Sequence, residues 1–516
     1  MRVLIISLFS HMRHHLATEL ELAQTHLDDG DEVHVLACNG DLPACMGNTR
    51  AEPHRCRSCI TARYIGLKSL TSIPPVYLLD HFYSAADRAR EATLKTSFAT
   101  DAEIRSYVVD GLDIGYGALS STVWEYRDPH LESEASRELL GRMIVASFRV
   151  FRSVENFLKA NRDYDRVYIF NGRFATSRGA LRACQQAGVD VFLHERGSTS
   201  EKYMVFENSL PHDRKRMLDR IKRMWDAADS EARKQGDIFY QERRNRVESL
   251  WHSFTKEQQA GKLPDQWDPD ARNVVVFTSS EDEFVSIGKE WENPAFETQT
   301  QAIVDLHKAL IESDSPIELY VRMHPNLRKV DNSDTRRQRA LRGDRLHVIP
   351  PDSEICSYAL LDGCEKVISF GSTMGIEANY WGKPSILAGI SFYGELGGTY
   401  AAASDEELYQ LAVANLDPKP NEPARKYGFY TRTFGQPFVH YRAVDFSTGF
   451  FRGKFIRPPA PLAPYRLLIP RILNRFGTNT VWRNRLENIA YVIGYLPFGI
   501  AHRAWLAIRG VGRTGR

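Results

Sequence analysis

This sequence lacks several common signatures of catalysis and of membrane insertion. It has no G-x-x-x-x-G-K-[ST] phosphate loop, no G-x-G-x-x-G fingerprint joining a strand to a helix and no H-E-x-x-H helix. Long apolar runs are missing too. The nearest candidate, Ile489 to Ile508, is broken by Pro497, His502 and Arg503, short of the roughly 18–20 uncharged residues that a spanning helix needs. The apolar opening Met1 to Phe9 is a strand's length, cut off by Ser10-His11-Met12-Arg13-His14-His15, and so does not read as a signal peptide. A cytoplasmic chain is expected, with any membrane contact peripheral. A dominant charge of one sign is also absent: the net charge is +2, which argues against a nucleic-acid partner. Cysteine is sparse and odd in number, seven in 516 residues, and in a reducing compartment a cluster of them is more often a metal site than a disulfide framework.

What is present is a globular composition, 43% hydrophobic and 26% charged, in a chain too long for one ordinary core. Strand-like runs at Val3–Ser7 and Glu32–Leu36 flank a helical stretch at Leu16–Leu27. Two more strands, Arg166–Phe170 and Val189–Leu193, flank a helix that ends at Gly188. A second βα series starts at Asn273–Phe277 and runs through a helix at Phe296–Ile311 to strands at Ile317–Val321, His347–Ile349, Lys366–Ser369 and Pro384–Leu387. Strands alternating with helices twice over predict two doubly wound, Rossmann-like α/β domains facing each other. The expected divisions are an acceptor-side domain over 1–206 and a charged helical bridge over 207–270, with the linker Pro264–Asp270 at its end. A second α/β domain covers 271–445, and a basic amphipathic tail covers 446–516.

In open α/β sheets, ligands sit beyond the carboxyl ends of the strands. The second domain offers there Thr278-Ser279-Ser280, Arg322-Met323-His324-Pro325 and Ser369-Phe370-Gly371-Ser372-Thr373. Hydroxyls and free N–H groups where Ser372 and Thr373 start a helix suit a phosphate. Glu377, one turn on, would face the same molecule and accept from ribose hydroxyls; a plain N-cap with a surface glutamate would read the same way. His324 can donate to a phosphate oxygen, and Arg322, two residues earlier, would share its face on an extended strand. A histidine before proline also suits a simple capped turn. The first domain offers Ser10-His11, Asn171-Gly172-Arg173 and Glu195-Arg196-Gly197. His11, Asn171 and Arg173 are candidate acceptor contacts, and His11 and His14 are rival bases or phosphate contacts; Asn171-Gly172 equally suits a turn.

The Arg322-x-His324-Pro325 corner is followed by Ser369-x-x-Ser372-Thr373-x-Gly375-x-Glu377-Ala378-x-x-x-Gly382-Lys383-Pro384. This pattern resembles bacterial capsule and surface polysaccharide glycosyltransferases of GT-B fold, of the Kdo-transferase and sialyltransferase-like kind, over about residues 270 to 390. The resemblance implies a nucleotide-sugar donor bound by His324-Pro325 and Ser372-Thr373; the reading of the crevice adds Glu377, with Arg322 and Ser279 or Ser280 in support. The resemblance also implies a saccharide or glycolipid acceptor, deprotonated by an acid before a glycine. Glu195 stands at that place, although Arg196 fills the position where the pattern has a second acid, and an ion pair of Glu195 with Arg173 or Arg196 is the structural alternative. A nucleotide-sugar epimerase, a polyol-phosphate transferase and a non-catalytic assembly protein at the membrane are the competing functions.

Two features lie outside the resemblance. Cys38, Cys45, Cys56 and Cys59 form a C-x6-C-x10-C-x2-C cluster with the ligand number of a closed, structural zinc site; no metal is expected at the donor, because no D-x-D pair stands at a strand end there. From Arg452 to Arg516 there are twelve Lys/Arg against one acid, Glu487, with Trp482, Tyr491, Tyr495 and Trp505 among them. That composition suits an anionic membrane surface on the inner face of the cytoplasmic membrane, or a docked helix pair with solvated arginines.

Overall fold

The computed structural model describes residues 1–161, 163–247, 256–444 and 448–456. Two α/β units are present, each built on a largely parallel sheet. The first contains β1 (Arg2–Ser7), β2 (Glu32–Ala37), β3 (Val76–Leu78), β4 (Arg166–Phe170) and β5 (Val191–Arg196), followed by β6 (Lys202–Glu207). Its spatial order is β3-β2-β1-β4-β5-β6, with β6 antiparallel to β5. The second contains β7 (Arg272–Phe277), β8 (Ile317–Arg322), β9 (Leu346–Ile349), β10 (Lys366–Ser369), β11 (Ser385–Leu387) and β12 (Tyr400–Ala401), ordered β9-β8-β7-β10-β11-β12 and parallel throughout. In each sheet the order reverses beside its first strand, so switch points fall between β1 and β4 and between β7 and β10. Ligand crevices open at such points. This is the GT-B architecture expected from the motifs.

Both faces of each sheet are covered, which is why the strands read as continuous apolar runs. In the first unit, Leu4, Ile6, Leu36, Val167 and Ile169 pack under helices Ile114–Tyr126, Glu134–Ala160 and Ala175–Gln186. Val3, Ile5, Val33 and Val35 face the opposite layer with Leu16 and Leu20 of helix Arg13–Asp28. In the second unit, Val274, Val276, Leu319, Val321 and Ile368 form one core with helix Gln299–Glu312, and Val275, Phe277, Tyr320 and Val367 form the other.

Several boundaries differ from the sequence reading. The strand expected at 189–193 starts two residues later and runs to Arg196, because Phe192–Arg196 pair with β6. β6 itself, just before the charged bridge, is a strand that the sequence reading passes over. The expected linker Pro264–Asp270 is packed, with Trp267 on Tyr320 at 4.5 Å between ring centroids. The charged bridge forms helices Arg214–Ala227 and Ser230–Arg244. The second of these packs on helix Glu422–Thr433, backbone to backbone: a Cβ at Gly236 would come within 2.4 Å of the Arg425 carbonyl, and one at Gly428 within 2.6 Å of the Gly236 carbonyl. After that helix the chain returns to the first unit. There β13 (Gln436–Pro437) pairs with β6, and β14 (Tyr441–Ala443), β15 (Gly449–Phe451) and β16 (Lys454–Phe455) form a small sheet. Tyr441, Phe451 and Ile456 join the core beneath Val3 and Ile5. The described residues around the expected boundary at 445 therefore pack on the first sheet. The amphipathic tail beyond 456 lies outside the described residues. Among those described, no helix is long and apolar enough to cross a membrane.

Candidate active site

On the second unit, the carboxyl ends of β7, β8 and β10 meet at one crevice. Thr278 ends β7 and accepts from the His324 backbone N–H at 3.0 Å, which fixes the His-Pro corner. The Ser279 peptide is clasped by Gln299, whose side chain accepts from its N–H at 2.8 Å and donates to its carbonyl at 3.0 Å. The Ser279 hydroxyl is buried and has no hydrogen-bond partner among the described residues. Gly371 opposite has φ +119°, and a side chain there would run into the Ile390 carbonyl. The bare backbone keeps the approach to Ser279 and Ser372 clear. Tyr393 donates to the Ser372 carbonyl at 2.6 Å and holds the turn into helix Met374–Tyr380.

His324 is half-buried. Its Nδ1 accepts from the Asn326 backbone N–H at 3.1 Å, so in the neutral ring the proton sits on Nε2. Burial, reinforced by the Arg127 cation, lowers its pKa to about 4. At neutral pH it is an uncharged imidazole able to donate a hydrogen bond.

Two of the expected donor residues are placed otherwise. Arg322 is buried and turns to its own unit, donating to the Pro350 carbonyl and, at 3.2 Å, to that of Ser353. The strand ends at Arg322 and the chain turns into a 3-10 turn at Pro325–Leu327, so the two-residue alternation that would have aligned Arg322 with His324 does not extend that far. Glu377 is fully buried. Its carboxylate accepts from Arg243 at 2.9 Å and from the Tyr358 hydroxyl at 2.5 Å. Arg243 also donates to the Thr373 hydroxyl at 3.1 Å. Thr373 and Glu377 do share a face, but what they meet is a guanidinium from the bridging helix. Ser372 is buried at the crevice, while Ser280 accepts from Arg127 at 2.7 Å.

On the first unit, Asn171 ends β4 with φ +57°. Its amide donates to Glu195 at 2.7 Å and accepts from the Arg173 backbone N–H at 3.2 Å. The other Glu195 oxygen accepts from the Arg196 backbone N–H at 3.0 Å. Neutral donors thus orient the carboxylate. Arg173 is buried beside it; burial lowers the guanidinium to about 10, against the attraction of Glu195. Below lies a histidine layer: His14 meets His15 edge-on with ring centroids 4.0 Å apart, and the His15 centroid lies 3.7 Å from that of Phe170 and 6.4 Å from that of His194. Burial holds His14 and His194 at about 3, so these rings stay neutral. His11 lies beside the cysteine loop. Its ring lies against Gly47, where a Cβ would stand 2.8 Å from Nδ1, and it lines a pocket with Cys38, Cys45, Cys56 and Cys59.

The two halves meet through Glu283. Its carbonyl accepts from Arg173 at 3.2 Å and its carboxylate from Asn326 at 2.9 Å, next to His324. Burial raises its pKa.

Neither a family model nor a curated protein matches the chain. Among solved structures it is similar to a Thermosulfurimonas dismutans KpsC beta-Kdo 2,4 transferase, at 16% identity over 52% of this chain and 79% of that one, with a TM-score of 0.35. A putative UDP-N-acetylglucosamine 2-epimerase from Listeria monocytogenes is similar at 14% identity over 84% and 92%, TM-score 0.26. MurG from Acinetobacter baumannii is similar at 12% identity over 84% and 96%, TM-score 0.23. At such values these likenesses say nothing of chemistry, and the site is read from its own residues.

Sequence reasoning missed Arg127, Arg243 and Glu283. Arg127 caps helix Ile114–Tyr126 in a left-handed conformation and reaches across the crevice to Asp282 at 2.7 Å, the Asn326 carbonyl at 2.9 Å and Ser280. Nothing in Tyr-Arg-Asp-Pro announces such a reach. Arg243 had a signal: it lies on the same helical face as the buried Tyr240.

Proposed function

We propose that this chain is a glycosyltransferase that moves a sugar from a nucleotide-sugar donor to a saccharide or lipid-linked acceptor in surface polysaccharide assembly. The observation that carries the reading is the Ser279 hydroxyl, buried and unpartnered between His324 and the Gly371–Thr373 turn. A buried hydroxyl without a partner costs about 1–3 kcal/mol, a cost that a bound phosphate oxygen offsets. His324 Nε2–H, Ser279, Ser372 and the backbone N–H groups of the turn would hold the donor phosphate without a metal.

In the transfer step the acceptor hydroxyl loses its proton to Glu195 and its oxygen bonds to the anomeric carbon. The bond from that carbon to the phosphate oxygen breaks, and the electron pair leaves with the nucleotide. Preorganised donors stabilise that developing charge; His324 supplies one as a neutral ring. The tail would add contact with an anionic membrane surface, which is a reading of its composition alone.

A thermal-shift screen against CMP, UDP, GDP and CDP tests the donor half, since a ligand of the native state raises the melting temperature. One nucleotide is expected to stabilise the protein, and His324→Ala is expected to abolish the effect. No stabilisation by any of them sinks the donor site. Epimerised free nucleotide-sugar, formed without acceptor, would replace transfer with epimerisation.

A further inference from the structure

The four cysteines of the first unit come together although they are spread over 22 positions of sequence. Cys38 directly follows β2. Cys45 opens a tight turn closed by Cys45–Asn48 backbone hydrogen bonds of 3.2 and 2.9 Å. Cys56 and Cys59 lie one turn apart near the start of helix Pro53–Leu67. All four line one small pocket of about 30 Å³, room for an ion but not for a sugar.

Each sulfur is met by an N–H donor. The Gly40 backbone donates to Cys38 at 3.3 Å and the Asn48 side chain to Cys56 at 3.2 Å. The backbones of Gly47 and Asn48 donate to Cys45, and that of His11 to Cys59. Burial pushes all four thiols up, and these N–H donors act against that rise. Cation is also at hand: Arg55 lines the pocket, Arg57 acts on Cys56 and Arg63 on Cys59. They would offset the net negative charge of four thiolates around a divalent ion. Cys184, Cys356 and Cys364 lie buried in hydrophobic packing elsewhere.

We propose that Cys38, Cys45, Cys56 and Cys59 form a closed tetrathiolate site for one zinc ion. No three of the sulfurs lie within 4.8 Å of one another, whereas zinc takes each at about 2.3 Å. Binding therefore draws the Cys38–Cys45 loop towards the helix. With all four positions filled by protein, the ion takes no part in chemistry. It fastens a loop packed on the first unit: Gly47 backs the His11 ring, Thr49 donates to Glu125 at 3.1 Å, and Arg142 donates to the Thr49 carbonyl at 2.9 Å. The site stands whether or not the chain transfers sugars.

Metal analysis of the purified full-length chain tests it. About one zinc per chain is expected, lost in Cys56→Ser and in Cys59→Ser and kept in Cys184→Ala. Should the serine variants fail to fold, the wild type still decides. Mercurial titration is expected to release zinc, read with a metallochromic dye, as four thiols are consumed. Cobalt exchange is expected to give the thiolate-to-cobalt charge-transfer bands of a tetrahedral site. The proposal is overturned by a folded chain that retains no zinc after incubation and desalting, by a Cys56–Cys59 disulfide in intact-mass and peptide analysis, or by iron with acid-labile sulfide in place of zinc.

Discussion

Arg243 donates to Glu377 at 2.9 Å, and Glu377 has no solvent-exposed surface. One residue belongs to the bridge between the units and the other to the helix that follows the Ser372–Thr373 turn, so the pair ties the bridge to the crevice of the second unit. The Tyr358 hydroxyl completes the carboxylate's partners at 2.5 Å. The same guanidinium reaches Thr373, which makes the geometry of the turn depend on the bridge.

Removing Arg243 leaves a buried carboxylate with one neutral partner. Breaking a buried pair on one side costs about 3–5 kcal/mol, and Arg243→Met is expected near the lower end because the arginine itself is partly exposed. Urea unfolding measures the loss. The double variant Arg243→Met, Glu377→Gln is expected to recover part of it, since the uncompensated charge is gone. A double variant as unstable as the sum of the singles would mean that the two do not interact.

Ser279→Ala separates stability from binding. The hydroxyl has no partner to lose, so the fold is expected to be unchanged or more stable by a few tenths to about 1 kcal/mol. If it meets the donor phosphate, nucleotide affinity falls about tenfold, the loss of one hydrogen bond to a charged group. Calorimetric titration with the stabilising nucleotide reads this; unchanged affinity would place the phosphate elsewhere.

Much of this arrangement was legible in the sequence. The βα alternation located the strands, and the strand ends located Thr278–Ser280, His324, Ser372 and Asn171 at the crevices. What failed was partner choice. Thr373 and Glu377 were rightly put on one face, yet the group they meet comes from a helix more than a hundred residues earlier, in a stretch that reads as solvated charge. Arg322 fell on the wrong side because alternation holds only while the strand continues. The placement of His11 against Gly47 depends on the cysteine loop folding back over the first βα turn, and no periodicity encodes that.

Arg127 is expected to govern closure. Its hydrogen bonds to Ser280, Asp282 and Asn326 hold the first unit against the loop that carries Glu283. Bonds to a charged group contribute about 1.5–3 kcal/mol each, but water replaces them when the crevice opens. Arg127→Ala is therefore expected to speed amide exchange in residues 280–292 while leaving the two cores protected. Uniform exchange, equal to wild type, would show that the clasp is dispensable.

Glu195→Gln keeps the hydrogen bond from Asn171 and removes the carboxylate proposed as the base. A loss of about 10²–10⁴-fold in kcat is expected, the usual contribution of a general base, with nucleotide affinity unchanged. A comparable loss of nucleotide affinity would mark Glu195 as structural, consistent with the alternative ion pair to Arg173 or Arg196.

His130 predicts a pH dependence. Its Nδ1 meets Asp101 and its Nε2 meets Asp334 of the second unit, each at 3.2 Å. Hydrogen bonds to the two carboxylates raise its pKa from 6.5 to about 10, while His130 and Arg337 lower that of Asp334. The folded pKa lies above the unfolded one, so the stabilisation is complete below about pH 6.5, declines as pH rises and is gone above about pH 10. His130→Gln lacks the charge at every pH. The difference in urea midpoint between wild type and this variant is therefore expected to be largest near pH 6 and to vanish towards pH 10. A difference that stays constant across that range would mean that His130 contributes packing rather than charge to the junction between the units.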